Sequence, residues 1–266
     1  MKKVLITGGP SNEYIDEVMK ITNMSSGKIA VQLAEAFTRD GYEVTAILNK
    51  SVKYNLYGDP TCKYGKPHLR IVNFETTEEL EKAIEDESKS FNYDIVIHSA
   101  AVADYKPAYS FRMEDMAKEI AEYVMDNARE INEAFTGVDI EKAIFNILTN
   151  PECKVNDSTK ISSCEPNLTV KLGLTPKIIE SLRKWFPDAY ICGFKLLENV
   201  SEEELVEAAM KQIKKCNTNL VFANDLAKLR TGNASRLVVA PSGYHNIKVD
   251  GAEGIFNLIK IATMNL

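Results

Sequence analysis

Two periodicities alternate along this chain. Short apolar, β-branched runs at 4–6, 42–48, 69–72, 94–98, 189–193, 220–223 and 235–240 read as buried strands. Between them apolar residues return every three or four positions. The series are Ile29, Leu33, Ala34 and Phe37; Leu80, Ala83 and Ile84; Ile178, Ile179 and Leu182; and Leu205, Ala208, Ala209 and Ile213. That spacing lines one face of a helix, and the face must be buried. Strands of near-continuous apolar content, separated by amphipathic helices, build a parallel sheet covered on both sides. The expected fold is α/β: a doubly wound, mostly parallel Rossmann-like sheet with helices on both faces and a helical insertion.

The insertion is residues 109–157. Met116, Ile120, Tyr123, Ile131 and Phe135 form one helical series, Ile140, Ile144, Ile147 and Leu148 a second, and no strand pattern intervenes. Gly137 separates the two, and Asp139 is placed to cap the second. A hairpin packed on the sheet edge, a lid and a dimer contact all fit this pattern. No repeat, low-complexity tract or Pro/Gly-rich linker divides the 266 residues. One domain, 1–266, carrying the insertion is the simplest organisation.

Charge and composition remove several classes of function. A net charge of −6 gives no bulk attraction to nucleic acid or to an anionic membrane. No apolar run approaches the roughly 20 residues that span a bilayer, and no signal-peptide pattern precedes the first strand. Five cysteines, at 62, 153, 164, 192 and 216, lack any C-x-x-C spacing and fit reduced thiols in a cytoplasmic protein. The scattered histidines at 68, 98 and 245 suggest neither a zinc site nor a catalytic triad.

In an open α/β sheet the ligand lies beyond the carboxyl ends of the strands, where the strand order reverses. Four segments are therefore expected as functional loops: T-G-G-P-S-N, S-A-A-V-A-D, G-F-K-L-L and A-N-D-L. Gly8 and Gly9 let backbone approach a ligand closely, though a plain strand-to-helix turn also explains them. G-G-P-S-N-E is not the G-x-G-x-x-G of a dinucleotide site, and the second strand ends in Asn49 rather than an acid. Tyr244 and Lys248 match a Y-x-x-x-K spacing, but in a turn-like context where chance accounts for it.

The run N-M-S-S-G-K over 23–28 is more specific. It is not a Walker loop, since no Gly stands five residues before Gly27 and Ile29 follows Lys28. Ser25 or Ser26 can cap the next helix and Gly27 can open it, turning unpaired N–H groups toward an anion. Simple capping explains the same residues. Ala100 and Ala101 are small enough to admit a flat ring against backbone, with Asp104 near for a ribose hydroxyl or a metal; a tight packing corner is the bland alternative. Lys160 and Lys195 are isolated cations that can equally be solvated surface lysines. Phe194 can stack on a base or sit in the core.

Taken in order, I-T-G-G-P-S-N-E-Y-I-D, I-T-N-M-S-S-G-K, H-S-A-A-V-A-D-Y, K-I-S-S, G-F-K-L-L and A-N-D-L resemble phosphopantothenate–cysteine ligase, an enzyme of coenzyme A biosynthesis. The resemblance covers residues 2 to about 225 and is to the free-standing form that lacks a decarboxylase partner domain. It implies two steps. The 4′-phosphopantothenate carboxylate attacks the α-phosphorus of a nucleoside triphosphate, normally CTP, and pyrophosphate leaves. The amine of L-cysteine then displaces CMP from the acyl-cytidylate. No protein nucleophile is required, which agrees with the absence of a triad.

The resemblance further implies that Asn23 holds the acyl-cytidylate, its amide donating to the acyl oxygen. Ser25, Ser26 and Gly27 match the triphosphate loop. Ala100, Ala101, Phe194 and Asn224 match the base and ribose pocket, with Asp104 beside it. Lys160 is similar to the lysine that closes over the triphosphate; Ser162 stands where some members carry a second lysine, so Lys195 can share that charge. Met19 occupies the usual place of an arginine that holds the substrate phosphate, leaving Lys20 as a point charge. The resemblance implies Mg²⁺ accompanying the triphosphate, no protein metal ligands, and a homodimer. A nicotinamide oxidoreductase and a non-catalytic nucleotide sensor on the same scaffold are the alternatives.

Overall fold

The computed structural model describes residues 1–54, 68–127, 137–155, 160–162, 164–232 and 235–264. Cys62, Ile131, Phe135 and the last residue of K-I-S-S lie outside the described residues. The apolar runs become strands β1 (Lys3–Gly8), β4 (Glu43–Asn49), β5 (Leu69–Phe74), β6 (Ile95–His98), β9 (Tyr190–Leu197), β10 (Leu220–Asp225) and β11 (Ser235–Ala240). With β12 (Gly243–Asp250) they form an eight-stranded sheet in the order β12-β11-β10-β9-β6-β1-β4-β5.

The pairs from β5 to β10 are parallel, and β11 and β12 add antiparallel at one edge. From β1 the chain runs outward to β4 and β5, then returns to β6 and continues the other way. The reversal falls between β1 and β6, which makes their carboxyl ends the ligand crevice of a doubly wound fold.

Successive residues of the central strands are buried on opposite faces of the sheet, as a sheet covered on both sides requires. Val4, Ile6, Leu48, Ile97 and Phe222 face α1 (Lys28–Arg39) and the C-terminal helix, Gly251–Ala262, where Phe37 meets Phe256 edge-on at 4.9 Å. Leu5, Ile47, Val96 and Ile191 face α2 (Thr77–Ser90) and α5 (Ile178–Trp185). Val221, Ala223, Leu237 and Val239 pack on α6 (Glu202–Cys216), whose start is fixed by a reciprocal Ser201–Glu204 capping box. A leucine such as Leu33, fully buried in the first layer, costs about 2–5 kcal/mol when cut to alanine.

The described chain divides into two compact units: residues 1–12, 22–103 and 176–266, which hold the sheet, and residues 13–21 and 104–175. The second unit is not purely helical. Strand β7 (Tyr105–Arg112) pairs antiparallel with β8 (Leu168–Leu174), and residues 109–112 of β7 correct the expectation of no strand within 109–157. A register shift between Pro107 and Tyr109 breaks the alternation that would have marked β7. Tyr109 and Phe111 from this ribbon pack with Met116 of α3 (Met113–Asp126). Helix α4 (Gly137–Thr149) begins at Gly137, with Asp139 in its first turn. A short ribbon of β2 (Asn12–Tyr14) and β3 (Lys20–Thr22) links the units along the chain.

Candidate functional site

Past the end of the sheet, β1 and β6 stay zipped together. Ala101 N–H donates to the Gly9 carbonyl at 2.9 Å, and Ser11 N–H donates to the Ala101 carbonyl at 3.2 Å. The two loops at the reversal of strand order are thus one backbone-bonded floor. Ser11 is its buried hub: its Oγ accepts from Ala103 N–H at 2.9 Å and from Thr77 Oγ1 at 3.0 Å. Its carbonyl accepts from Thr22 Oγ1 at 2.9 Å, which brings in the strand leading to Asn23.

Asn23 then closes the triangle. Its Nδ2 donates to the carbonyls of Ala101 at 3.1 Å and Val102 at 3.0 Å. Both amide hydrogens are committed there, so the atom Asn23 presents outward is Oδ1, an acceptor. The expected donation to an acyl oxygen meets two backbone competitors in this geometry.

Glycine at 8, 9 and 27 is a requirement of packing. A Cβ on Gly8 would sit 2.1 Å from Ala30 Cβ, so only glycine lets α1 approach β1 this closely. Gly9 (φ 91°) and Gly27 (φ 67°) adopt left-handed backbone, and a Cβ on either would run into Val52 Cγ2 at 2.5 or 2.6 Å. Gly27, not a serine, is the capping residue of α1, which corrects the sequence reading. Ser25 Oγ and Ser26 Oγ lie 3.4 Å from Gly27 N and Lys28 N respectively, at the limit of hydrogen bonding. The loop pairs two hydroxyls with the amino end of a twelve-residue helix, an arrangement suited to phosphate oxygens.

G-F-K-L-L and the A-N-D of A-N-D-L are the last residues of strands, not loops, and Leu226 opens a short helix. Phe194 and Lys195 lie within β9, Asn224 and Asp225 within β10, with Phe194 opposite Phe222 and Lys195 opposite Ala223. Lysine, asparagine and aspartate mask the extended pattern because they sit at the polar end of the sheet. Phe194 is half-buried, its ring 5.3 Å from Phe222, so it packs on the core; Lys195 projects to the opposite face. Asn224 is buried. Burial raises the Asp225 carboxyl, but N–H groups of Ala227, Asn199 and Val200 outweigh it and hold the group below the usual carboxylate range.

Asn49 fills the place of a ribose-binding acid. It is fully buried, its Nδ2 donating to the Glu75 carbonyl at 3.1 Å and its Oδ1 accepting from Ser51 N–H at 2.9 Å. Such a side chain is spent on the loop. Tyr244 and Lys248 sit on strand β12, with Lys248 paired to Glu202, so they are not a helical catalytic pair. His98 is buried beside Thr7, Oγ1 to Nδ1 2.9 Å, and desolvation lowers its imidazole to about 4.

Lys20, Asp104 and Lys160 belong to the second unit. Lys20 lies over the Tyr14 ring at 5.9 Å, and the Asp104 carbonyl accepts from Thr175 N–H at 3.1 Å. Lys160 precedes Ile161, whose N–H donates to Asp16. Sequence reasoning assigned no role to Ser11 or Asp16; both stand inside the quoted I-T-G-G-P-S-N-E-Y-I-D run, but their partners are distant in the chain. Among the described residues no three His, Cys, Asp or Glu side chains gather into a metal-holding group, and no helix is long and apolar enough to cross a membrane.

Residues 1–134 match the family described as the DNA/pantothenate metabolism flavoprotein C-terminal domain. The chain is 33% identical over 225 residues to the coenzyme A biosynthesis bifunctional protein CoaBC of Thermococcus kodakarensis, covering 85% of this chain and 41% of that protein. To CoaBC of Methanocaldococcus jannaschii it is 31% identical over 251 residues, 94% of this chain and 47% of the other. It thus spans less than half the length of these relatives. The crystal structure of the DNA/pantothenate metabolism flavoprotein from Streptococcus pneumoniae shares the fold with a TM-score of 0.72 at 26% identity, covering 99% of both chains. A Cab2 mutant solved in complex with phosphopantothenate-cysteine has the same fold, with a TM-score of 0.64 at 19% identity over 99% of this chain and 85% of that one.

Proposed function

Because this chain belongs to the DNA/pantothenate metabolism flavoprotein C-terminal domain family, we propose that it is a ligase condensing 4′-phosphopantothenate with L-cysteine through an acyl-cytidylate, releasing pyrophosphate and CMP. CTP rather than ATP, a homodimer and a cytoplasmic setting belong to the same proposal. The observation that carries it is the Asn23 amide bound to the carbonyls of Ala101 and Val102. It unites the N-M-S-S-G and S-A-A-V-A-D segments, the two most specific to the ligase, at the reversal of strand order.

In this reading the substrate's own carboxylate is the nucleophile and the protein supplies position and positive potential. The Ser25–Ser26–Gly27 loop and the first turn of α1 receive triphosphate oxygens, with Lys160 adding charge and Lys195 a second cation. Ala100 and Ala101 leave room for a base against backbone, with Phe194 and Asn224 of the same unit for the base and ribose; Asp104 and Lys20 keep the roles the resemblance implies, an acid for the nucleotide and a cation for the substrate phosphate. Asn23 Oδ1 accepts from the attacking amine of cysteine and aims its lone pair at the acyl carbon. Mg²⁺, when bound with the nucleotide, would supply positive charge to the leaving pyrophosphate. In this proposal substrate phosphates and water hold most of the cation's coordination sphere.

With CTP, Mg²⁺, cysteine and phosphopantothenate, the protein is expected to form one amide, one CMP and one pyrophosphate per turnover. Folded protein that yields no CMP overturns the proposal. Asn23→Leu, which removes the Oδ1 acceptor, should slow amide formation by roughly a hundredfold while pyrophosphate release continues. Equal losses in both steps would remove the role given to Asn23.

A further inference from the structure

Asp16 is half-buried, and both of its carboxylate oxygens are engaged by backbone. Oδ1 accepts from Val18 N–H at 2.7 Å and Met19 N–H at 2.6 Å. Oδ2 accepts from Ile161 N–H at 2.9 Å, across 145 positions of sequence. The Met19 carbonyl in turn accepts from Ile15 N–H at 2.9 Å and Asp16 N–H at 3.3 Å, so residues 15–19 form one closed turn around this carboxylate. All of these groups lie in the second unit. The residue after the turn is Lys20, and the residue before Ile161 is Lys160.

We propose that Asp16 is a positioning residue that ties the turn carrying Lys20 to the segment carrying Lys160, so that two cations assigned to two different phosphate groups share one anchor. The inference deepens the ligase reading and rests on it. A carboxylate is the side chain for the task because it accepts on both oxygens at once, and it offers no hydrogen that would compete for the substrates' phosphates. Serine or asparagine at this place would satisfy one segment and leave the other loose. The Ile161 N–H, then those of Met19 and Val18, hold the Asp16 carboxyl below its ordinary range, and the charge of Lys160 adds to them. The anchor is therefore ionised at neutral pH. The bond runs to the Ile161 N–H, so the anchor acts on the backbone of the segment that carries Lys160.

Asp16→Ala should raise KM for the nucleotide and for phosphopantothenate by roughly 10- to 100-fold while KM for cysteine stays unchanged. A merely structural loss would shift all three. In a double-mutant cycle with Lys160→Ala the nucleotide effects should be non-additive, since the second change removes a cation already misplaced. Two measurements need no turnover. Amide exchange at Ile161 should lose protection in Asp16→Ala, and inorganic tripolyphosphate should bind more weakly to Asp16→Ala by about the factor seen for Lys160→Ala. Additive losses, or tripolyphosphate affinity equal to wild type, overturn the proposal. Tripolyphosphate binding that weakens equally in Asp16→Ala and Lys160→Ala, in a wild-type protein that makes no amide, would refute the ligase reading alone.

Discussion

At the amino end of the sheet, polar side chains are turned on one another; at the carboxyl end, backbone and small residues are left facing outward. Arg70 on β5 forks onto Glu87 of α2, one nitrogen at 2.8 Å from Oε1 and the other on Oε2, and also reaches Thr45 Oγ1 at 3.2 Å. Tyr93 OH lies 2.6 Å from Glu87 Oε2 and 2.9 Å from Thr45 Oγ1. Lys3 N–H donates to Asp94 at 2.6 Å. Charge here is neutralised internally and has nothing left to offer a ligand. At the other end Gly8, Gly9, Gly27, Ala100 and Ala101 strip the surface to main chain, and Ser11 and Asn23 spend their hydrogen bonds fixing that main chain. One end of the sheet is built to hold together, the other to hold something else.

The largest expected effect tests the packing limit at the carboxyl end. Gly8→Val places branched carbons inside the volume of Ala30, and should cost about 3 kcal/mol or more while abolishing turnover. Thermal unfolding read together with activity separates it from a surface change; near-normal values of both would show that α1 can move aside. Next comes acid titration of His98. The free imidazole takes a proton below 6.5, whereas the buried one resists until about 4. Its folded value is lowered, so stability falls as pH descends from 6.5 toward 4, by up to about 3 kcal/mol. His98→Asn should flatten that slope in denaturant midpoints measured across the interval.

The smallest effect sharpens the contrast between the ends. Burial works against the Glu87 carboxylate, but Arg70 and Tyr93 outweigh it and keep the group below its usual range. Its contribution to stability is thus present above about 4.5 and lost as pH falls through the folded value. Glu87→Gln should cost about 2 kcal/mol at neutral pH and leave kcat and every KM in place. A variant that lowered kcat instead would break the division drawn here between the two ends.

What could be read from sequence follows from where apolar residues are needed. Strands β1, β4, β5 and β6 lie inside the sheet, or at its β5 edge, under helices; their Val, Ile and Leu runs declare them. β12 lies at the other edge and buries little, so its G-Y-H-N-I-K-V-D reads as a turn. The C-terminal helix begins Gly251-Ala-Glu-Gly254, and its two glycines hide a helix that tertiary packing stabilises. In the site, the glycines, serines and alanines were legible in type and order. The roles of Asn23 and Asp16 were not, because a side chain's meaning there depends on carbonyls 78 and 79 positions away for one and an N–H 145 away for the other.

The margin of the sheet also limits what the molecule can become. An open edge is a template on which another chain can lay a strand. On β11 the register slips between Leu237 and Val239, and on β12 Asn246 turns to a φ of 57° while Lys248 carries a charge along the rim. A bent, charged border of this kind offers no straight ladder for an incoming strand, so growth of the sheet into fibrils is blocked at that side by its least regular strand.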